Sequence, residues 1–171
     1  MGDRMQLSSI SGTARALESL LALPDRPWQD VADLGDDAEF EAYCVRLINP
    51  EFALTAKPSD ILVGRCGGGY GHDLEYGAVA ARRCGIAAVL CDECSPYFLR
   101  NAFHRGLIAL EIPGVFAACP PGSAVKVDLD EARVVNMTTG WVAGFPPVPG
   151  FLREMVTATD LAQTVRLTDV H

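Results

Sequence analysis

The sequence predicts an α/β fold: a mostly parallel sheet with crossover helices, followed by an antiparallel C-terminal appendage. Three observations carry this. Residues 58–112 alternate apolar runs with helix-forming stretches across short connections, the pattern of parallel strands joined by crossovers. A run of glycines follows the first of those apolar segments, between a strand and a helix. Two short apolar segments around Asp130-Glu131 then read as a hairpin.

Taken in order, Ser9 to Leu23 is compatible with a strand or a helix, because ARALESLLAL combines helix formers with helical leucine spacing. Pro24 and Pro27 mark a loop, and Asp36-Asp37-Ala38-Glu39 begins a short helix near Asp37 to Leu47, since acids favour a helix N-terminus. Ile61-Leu62-Val63 is a buried strand, and Gly64 to Gly71 holds the glycine-rich loop. Leu74 to Cys84 is a helix closed by Gly85, where a left-handed residue ends the last turn. Ile86 to Cys91 is the second strand. Ser95 and Pro96 open a helix running to about Arg105, Ser as N-cap and Pro in the first turn. Gly106 closes it, and Leu107 to Ile112 is the third strand. Val125 to Leu129 and Ala132 to Val135 form the hairpin, and Phe151 to Met155 starts a final helix. The whole of 1–171 is expected to be one domain with its motif-bearing core at 58–112.

Of 171 residues, 49% are hydrophobic and 21% charged, the balance of a globular chain rather than a disordered one. Fourteen Lys and Arg against 22 Asp and Glu leave a formal net charge of -8. That sign argues against nucleic acid, whose binding rests on neutralising phosphates, and against an anionic membrane surface. Without an apolar run of spanning or signal-peptide length, a cytoplasmic location is expected. A small-molecule substrate is the expected partner, with a homo-oligomer possible.

The six cysteines are read chiefly as small buried hydrophobes. Cys91-Asp92-Glu93-Cys94 has CxxC spacing, but no second pair at ligand spacing accompanies it, so no metal site and no cofactor are expected. The chemistry concentrates on the loop Gly67-Gly68-Gly69-Tyr70-Gly71 and the residues behind it. Exposed backbone N–H groups and a positive helix end make such a loop an anion cradle. His72, Asp73 and Glu75 follow; His72 suits acid–base work near neutral pH, with Glu75, three residues along, the better-placed partner. Asp73 and Glu75 also complement the helix dipole. Ligands of parallel sheets bind outside the carboxyl ends of the strands, so Tyr70, His72, Asp73 and Glu75 are the candidate catalytic residues. Gly67, Gly68, Gly69, Gly71, Leu74, Glu93 and Asn101 are the candidate binding residues. His104 and His171 read as surface positions.

Residues 60 to 112 resemble the small subunit of isopropylmalate dehydratase, which is similar to the swivelling fourth domain of aconitase. The family's strand, its glycine-rich turn NFGCGSSREHA, its helix ending in Gly and its second helix of the type SFADIFxxN run without a gap over Asp60 to Ile112. Glu75 falls on the motif's Glu, Gly69 and Gly71 on its glycines, and Phe98, Asn101, Phe103, Gly106 and Leu107 on the second helix and its exit. The resemblance implies a swivelling β/β/α domain. It also implies a departure in chemistry. The family's Ser-Ser-Arg, alkoxide base and carboxylate clamp, stands here as His72, Asp73 and Leu74, and its second-motif Ser and Asp fall on Glu93 and Pro96. Leucine offers no donor, whereas arginine gives a bidentate pair to a carboxylate.

Three functions follow as expectations. The first is a stand-alone, cofactor-independent cyclase acting on a large, largely apolar polyketide-type intermediate, as the resemblance to a relic dehydratase fold in polyether tetronate pathways suggests. The second is the small subunit of a divergent aconitase-type hydro-lyase or isomerase, completed by a large iron–sulfur subunit. The third is a non-enzymatic binding module.

Overall fold

The structure, a computed structural model, describes residues 7–19, 54–67 and 74–157. The helix expected near Asp37 to Leu47 lies outside the described residues. Strand β1 spans Ser9–Ser19, β2 Ile61–Gly67, β3 Ala88–Cys94, β4 Ile108–Glu111, β5 Ala124–Asp128, β6 Arg133–Asn136 and β7 Val142–Gly144. Helix α1 spans Leu74–Arg83, α2 Pro96–His104, α3 Val115–Ala118 and α4 Gly150–Thr157.

All seven strands form one sheet in the order β4-β3-β2-β1-β5-β6-β7. The first four are parallel neighbours, with α1 and α2 as the crossovers, and the last three run antiparallel. Of the ambiguous segment Ser9 to Leu23, residues 20–23 lie outside the described residues, and Ser9–Ser19 is a strand and the seam of the fold. Its first half pairs with β5 (Ser9↔Asp128 to Thr13↔Ala124) and its second half with β2 (Ala14↔Ile61 to Ser19↔Cys66). Two open ladder edges outweigh the helix propensity of Ala-Arg-Ala-Leu-Glu, which is a weak prior against tertiary pairing. The hairpin is the expected antiparallel part, and through β1 it continues the same sheet.

Each face of the sheet has its own core. Leu62, Val89 and Cys91 point to the face covered by Ala78 and Ala81 of α1 and Phe98 and Ala102 of α2. The other core draws on Ala14, Ile61, Val63, Leu90, Ile108, Val125, Val127 and Val134, from β4 to β6, with Val115 of α3 packed among them. Leu152 and Val156 of α4 pack against it. Ile61 to Gly64 is buried without interruption, as a central parallel strand covered on both faces should be.

Two glycines answer to geometry. A Cβ on Gly12 would lie 1.9 Å from the Ser59 carbonyl oxygen, so β1 passes the turn before β2 only without a side chain there. Gly85 ends α1 with φ +79°, and its carbonyl accepts the Ser59 N–H at 2.9 Å.

Polar groups in the interior are matched. Asn136 is fully buried; its Nδ2 donates to the Ala118 carbonyl at 2.7 Å, and its Oδ1 accepts the N–H groups of Thr138 (2.9 Å) and Thr139 (3.2 Å). Burial pushes the neighbouring Cys119 thiol up, and its hydrogen bond with Asn136 partly offsets that. Asp60, also buried, accepts the Lys57 N–H at 2.9 Å and lies 3.9 Å from the Arg15 guanidinium. Among the described residues no buried side-chain N or O lacks a hydrogen-bond partner, as a well-formed interior requires. No helix among them is long and apolar enough to cross a membrane.

Candidate functional site

The carboxyl ends of β2, β3 and β4 lie side by side, because Gly67 of β2 registers with Cys94 of β3 and Cys91 of β3 with Glu111 of β4. From this edge β2 runs out at Gly67 and α1 begins at Leu74. The segment that joins them carries Gly68, Gly69, Tyr70, Gly71, His72 and Asp73 and lies outside the described residues. Its anchors hold the expected strand–loop–helix order, but β2 continues through the expected start of the loop at Gly64 as far as Gly67, because Gly64, Cys66 and Gly67 pair with β3, and Leu74 and Glu75 open the helix.

Glu93 is brought to this edge. It is exposed, next to Cys66 of β2 and one residue before β3 ends. Asn101 stands further back. It is half-buried, five residues beyond the first residue of α2, or roughly 7–8 Å along the axis at 1.5 Å per residue. Cys91 and Cys94 are both buried on β3 against the helix-covered core, which makes them packing residues of a strand rather than a pair at the start of a helix.

The edge contains further polar groups that sequence reasoning passed over. Asp92 Oδ1 accepts the Phe116 N–H at 2.9 Å, tying α3 to β3. Glu111 Oε2 accepts the Cys94 N–H at 2.9 Å, tying the ends of β3 and β4 together. Arg65 of β2 is exposed and lies over the Phe116 ring, its guanidinium carbon 4.8 Å from the ring centroid. In the first turn of α2, Tyr97 is 61% exposed and carries the Arg100 guanidinium at 5.5 Å. Arg65 sits two residues before the glycine run that starts at Gly67, a signal in the sequence. Phe116 lies far along the chain, and no local pattern connects the two.

Among the described residues no group of three or more His, Cys, Asp or Glu side chains could hold a metal ion. Among the described residues the donors do not fit an iron–sulfur cluster: Cys91 and Cys94 are buried on β3, and Asp92 and Glu111 are engaged by backbone N–H groups. Among the described residues the edge carries two guanidinium groups on aromatic faces, the exposed Glu93 carboxylate, and the anchors of a glycine loop.

No protein-family model matches the chain. Curated relatives do. The 3-isopropylmalate dehydratase small subunit of Moorella thermoacetica is 32% identical over 126 residues, 74% of this chain and 76% of that protein. The 2,3-dimethylmalate dehydratase small subunit of Eubacterium barkeri is 27% identical over 134 residues, covering 78% of this chain and 82% of that one. Among solved structures, 3-isopropylmalate dehydratase of Methanocaldococcus jannaschii superposes with a TM-score of 0.72 at 24% identity, covering 95% of this chain and 96% of that one. That superposition shows the α/β fold expected from the sequence, and the relatives show the lineage. The chain belongs to the 3-isopropylmalate dehydratase small-subunit family.

Proposed function

We propose that this chain is the small subunit of a divergent aconitase-type hydro-lyase, completed by a large subunit that carries the iron–sulfur cluster. The observation that supports this reading is the kinship over three quarters of the chain with proteins named as dehydratase small subunits, on two different substrates. The cluster supplies Lewis-acid chemistry from the partner's side. This chain contributes the rest: backbone N–H groups of Gly67 to Gly71 to hold an oxyanion, and His72 to move a proton near neutral pH with Glu75 orienting it. Tyr70, Asp73 and Leu74 are the loop residues this reading assigns to substrate contact, with Glu93 at the neighbouring strand edge. With Leu74 where the family has its arginine, the substrate differs from isopropylmalate in how its carboxylates are held.

The test is reconstitution. Mixed with an isopropylmalate dehydratase large subunit under anaerobic conditions, the chain should co-elute as a coloured hetero-complex. The complex should hydrate a 2-alkyl-substituted unsaturated diacid, and His72→Ala should lower turnover by about 10²–10⁴, the usual contribution of a general acid–base. A chain that stays monomeric or self-associated beside every large subunit tried overturns the reading.

One observation favours a second reading. Replacement of Ser-Ser-Arg by His72, Asp73 and Leu74 removes the carboxylate clamp and adds a repelling acid, which suits a larger, less charged substrate. In that reading the chain acts without a cofactor as a cyclase on a polyketide-type intermediate. It folds a flexible chain into reactive geometry, where orientation alone supplies up to roughly 7–11 kcal/mol, with Tyr70, His72 and Asn101 as polarising donors. Polyketide synthase genes beside its own, and turnover by the isolated colourless chain, are the results that select it.

A further inference from the structure

β7 is the last strand of the sheet, and among the described residues no strand pairs with its outer side. The ladder fixes which of its groups face out. The Asn136 N–H donates to the Trp141 carbonyl at 2.8 Å, and the Phe145 N–H to the Ala132 carbonyl at 2.9 Å. Bonded and unbonded positions alternate in an antiparallel pair, so Ala143, opposite Val134, also bonds inward. Val142 and Gly144 therefore hold their N–H and C=O groups toward the open edge. Both residues are exposed, Val142 at 55%.

The surroundings of this edge invite association. No side chain from Val134 to Leu152 is charged, in a chain whose net charge is -8 and whose copies repel elsewhere. Among the described residues the exposed large apolar side chains are Leu54, Tyr97, Met137, Val142 and Phe151, and the last three fall in that run. Sheets blunt an open edge with charge or proline, and β7 carries neither. The edge is also complementary to itself. Two copies of β7 set antiparallel about Ala143 bring Val142 opposite Gly144 of the second copy. All the outward groups are then used in four N–H···O=C bonds. The Val142 side chain meets a position that has none, and Ala143 faces Ala143 across the axis, where strands come closest. A register shifted by two residues leaves Val142 or Gly144 without a full partner. Pro146 has no N–H, and the Gly140 N–H is held by the Asn136 carbonyl at 2.8 Å.

We infer that β7 is a self-association surface: two copies of this chain pair antiparallel through Val142 and Gly144 and continue one sheet across a two-fold axis. A second copy fits better than a foreign strand, because the register, the match of valine to glycine and the absence of charge all hold for β7 against itself. The contact is isologous and closes at two copies. A ladder this short buries little surface, so the dimer is weak and reversible. The inference is independent of the catalytic reading.

The experiment is sedimentation equilibrium of the full chain over a concentration series, which should show a reversible monomer–dimer equilibrium. Val142→Pro removes an outward N–H and no bond to β6, a placement that edge strands tolerate. It should raise the dimer Kd at least tenfold with an unchanged circular dichroism spectrum. Val142→Lys, a charge on the same exposed edge, should do the same. Leu54→Lys, which replaces an exposed apolar side chain elsewhere, should leave the Kd unchanged. Ala143→Cys reads the register. Unbonded strand partners lie about 4.5 Å apart at Cα, within disulfide reach, so mild oxidation should link the two copies at position 143, as peptide mapping shows. A parent that stays monomeric up to about 1 mM overturns the inference. So does a dimer whose Kd neither substitution at Val142 changes, or one that Leu54→Lys weakens as much. A link at position 143 no more abundant than links to the native cysteines overturns it as well.

Discussion

Arg153 of α4 lies 2.6 Å from the Asp130 carboxylate, with its Nε on the Val148 carbonyl at 3.1 Å and its remaining nitrogen on the Leu129 carbonyl. One guanidinium thus ties the last helix to the β5–β6 turn. The two partners are unequal, since the Arg153 side chain is 10% exposed and that of Asp130 60%. Arg153→Met leaves two carbonyls without their donor and should cost about 2–4 kcal/mol, at 1–3 kcal/mol per stranded group with partial rehydration. Asp130→Asn removes only a solvent-screened attraction and should cost less than about 1 kcal/mol. Chemical denaturation of both variants checks the ranking.

The approach of β1 to the Ser59 carbonyl makes Gly12 a sharper probe than its exposure suggests. Gly12→Ala puts a methyl 1.9 Å from a backbone oxygen, which neither element can yield without moving the seam of the sheet. We expect a loss of at least about 2 kcal/mol, the range of an overpacked core. Gly144→Ala, whose new methyl would meet the Ala132 carbonyl at an ordinary 3.7 Å, should change stability by less than about 1 kcal/mol. Similar losses in the two variants contradict the assignment.

Asn136 joins β6, the turn that follows it and α3 through three side-chain hydrogen bonds. Asn136→Leu should destabilise by about 2–3 kcal/mol, because a buried carbonyl and two N–H groups lose a partner at once. The same change removes the bond that partly offsets the upward push of burial on Cys119. Alkylation of Cys119 in the native parent at mild alkaline pH should be slow and should track unfolding. Fast labelling of the folded parent would refute this.

Asp128 predicts part of the acid response. The Glu131 N–H at 3.1 Å is the chief cause that holds its carboxyl below the usual range, with Lys126 Nζ at 3.3 Å adding to it. A carboxyl depressed in the folded state stabilises above its unfolded value, near ~3.9 for Asp, and loses that contribution as pH falls through the folded value. Asp128→Asn should therefore lower stability at neutral pH and flatten the decline below about pH 4. An unchanged acid limb in thermal unfolding speaks against it.

The legible part of the fold was the run from Ile61 to Glu111, where every element is announced by its own residues. Apolar triplets mark the strands, Ser95-Pro96 opens a helix, and Gly85 and Gly106 close two, both at positive φ. β7 was not legible: Val142–Gly144 lies in a Gly/Pro-rich stretch and is a strand only because β6 pairs with it. At the site, the glycine loop and Glu93 could be placed at the strand ends from order alone. Asn101 could not be ranked by distance, and Arg65 with its aromatic support escaped notice, since Phe116 reaches it only through the folded sheet.

By itself, the sequence determined the parallel crossover units and the place of the glycine loop between a strand and a helix, while the family resemblance implies His72, Asp73 and Leu74 where relatives carry Ser-Ser-Arg. These are local matters of period, capping and side-chain chemistry. Only the tertiary structure decided that Ser9–Ser19 is the strand joining the parallel and antiparallel halves. It also decided that Asp92 and Glu111 are scaffold acceptors rather than open charges, and that Arg65 rests on Phe116. The reason is the same in each case: strand pairing and the partners of a charge are set by which groups meet in space, and a local sequence pattern does not specify that meeting.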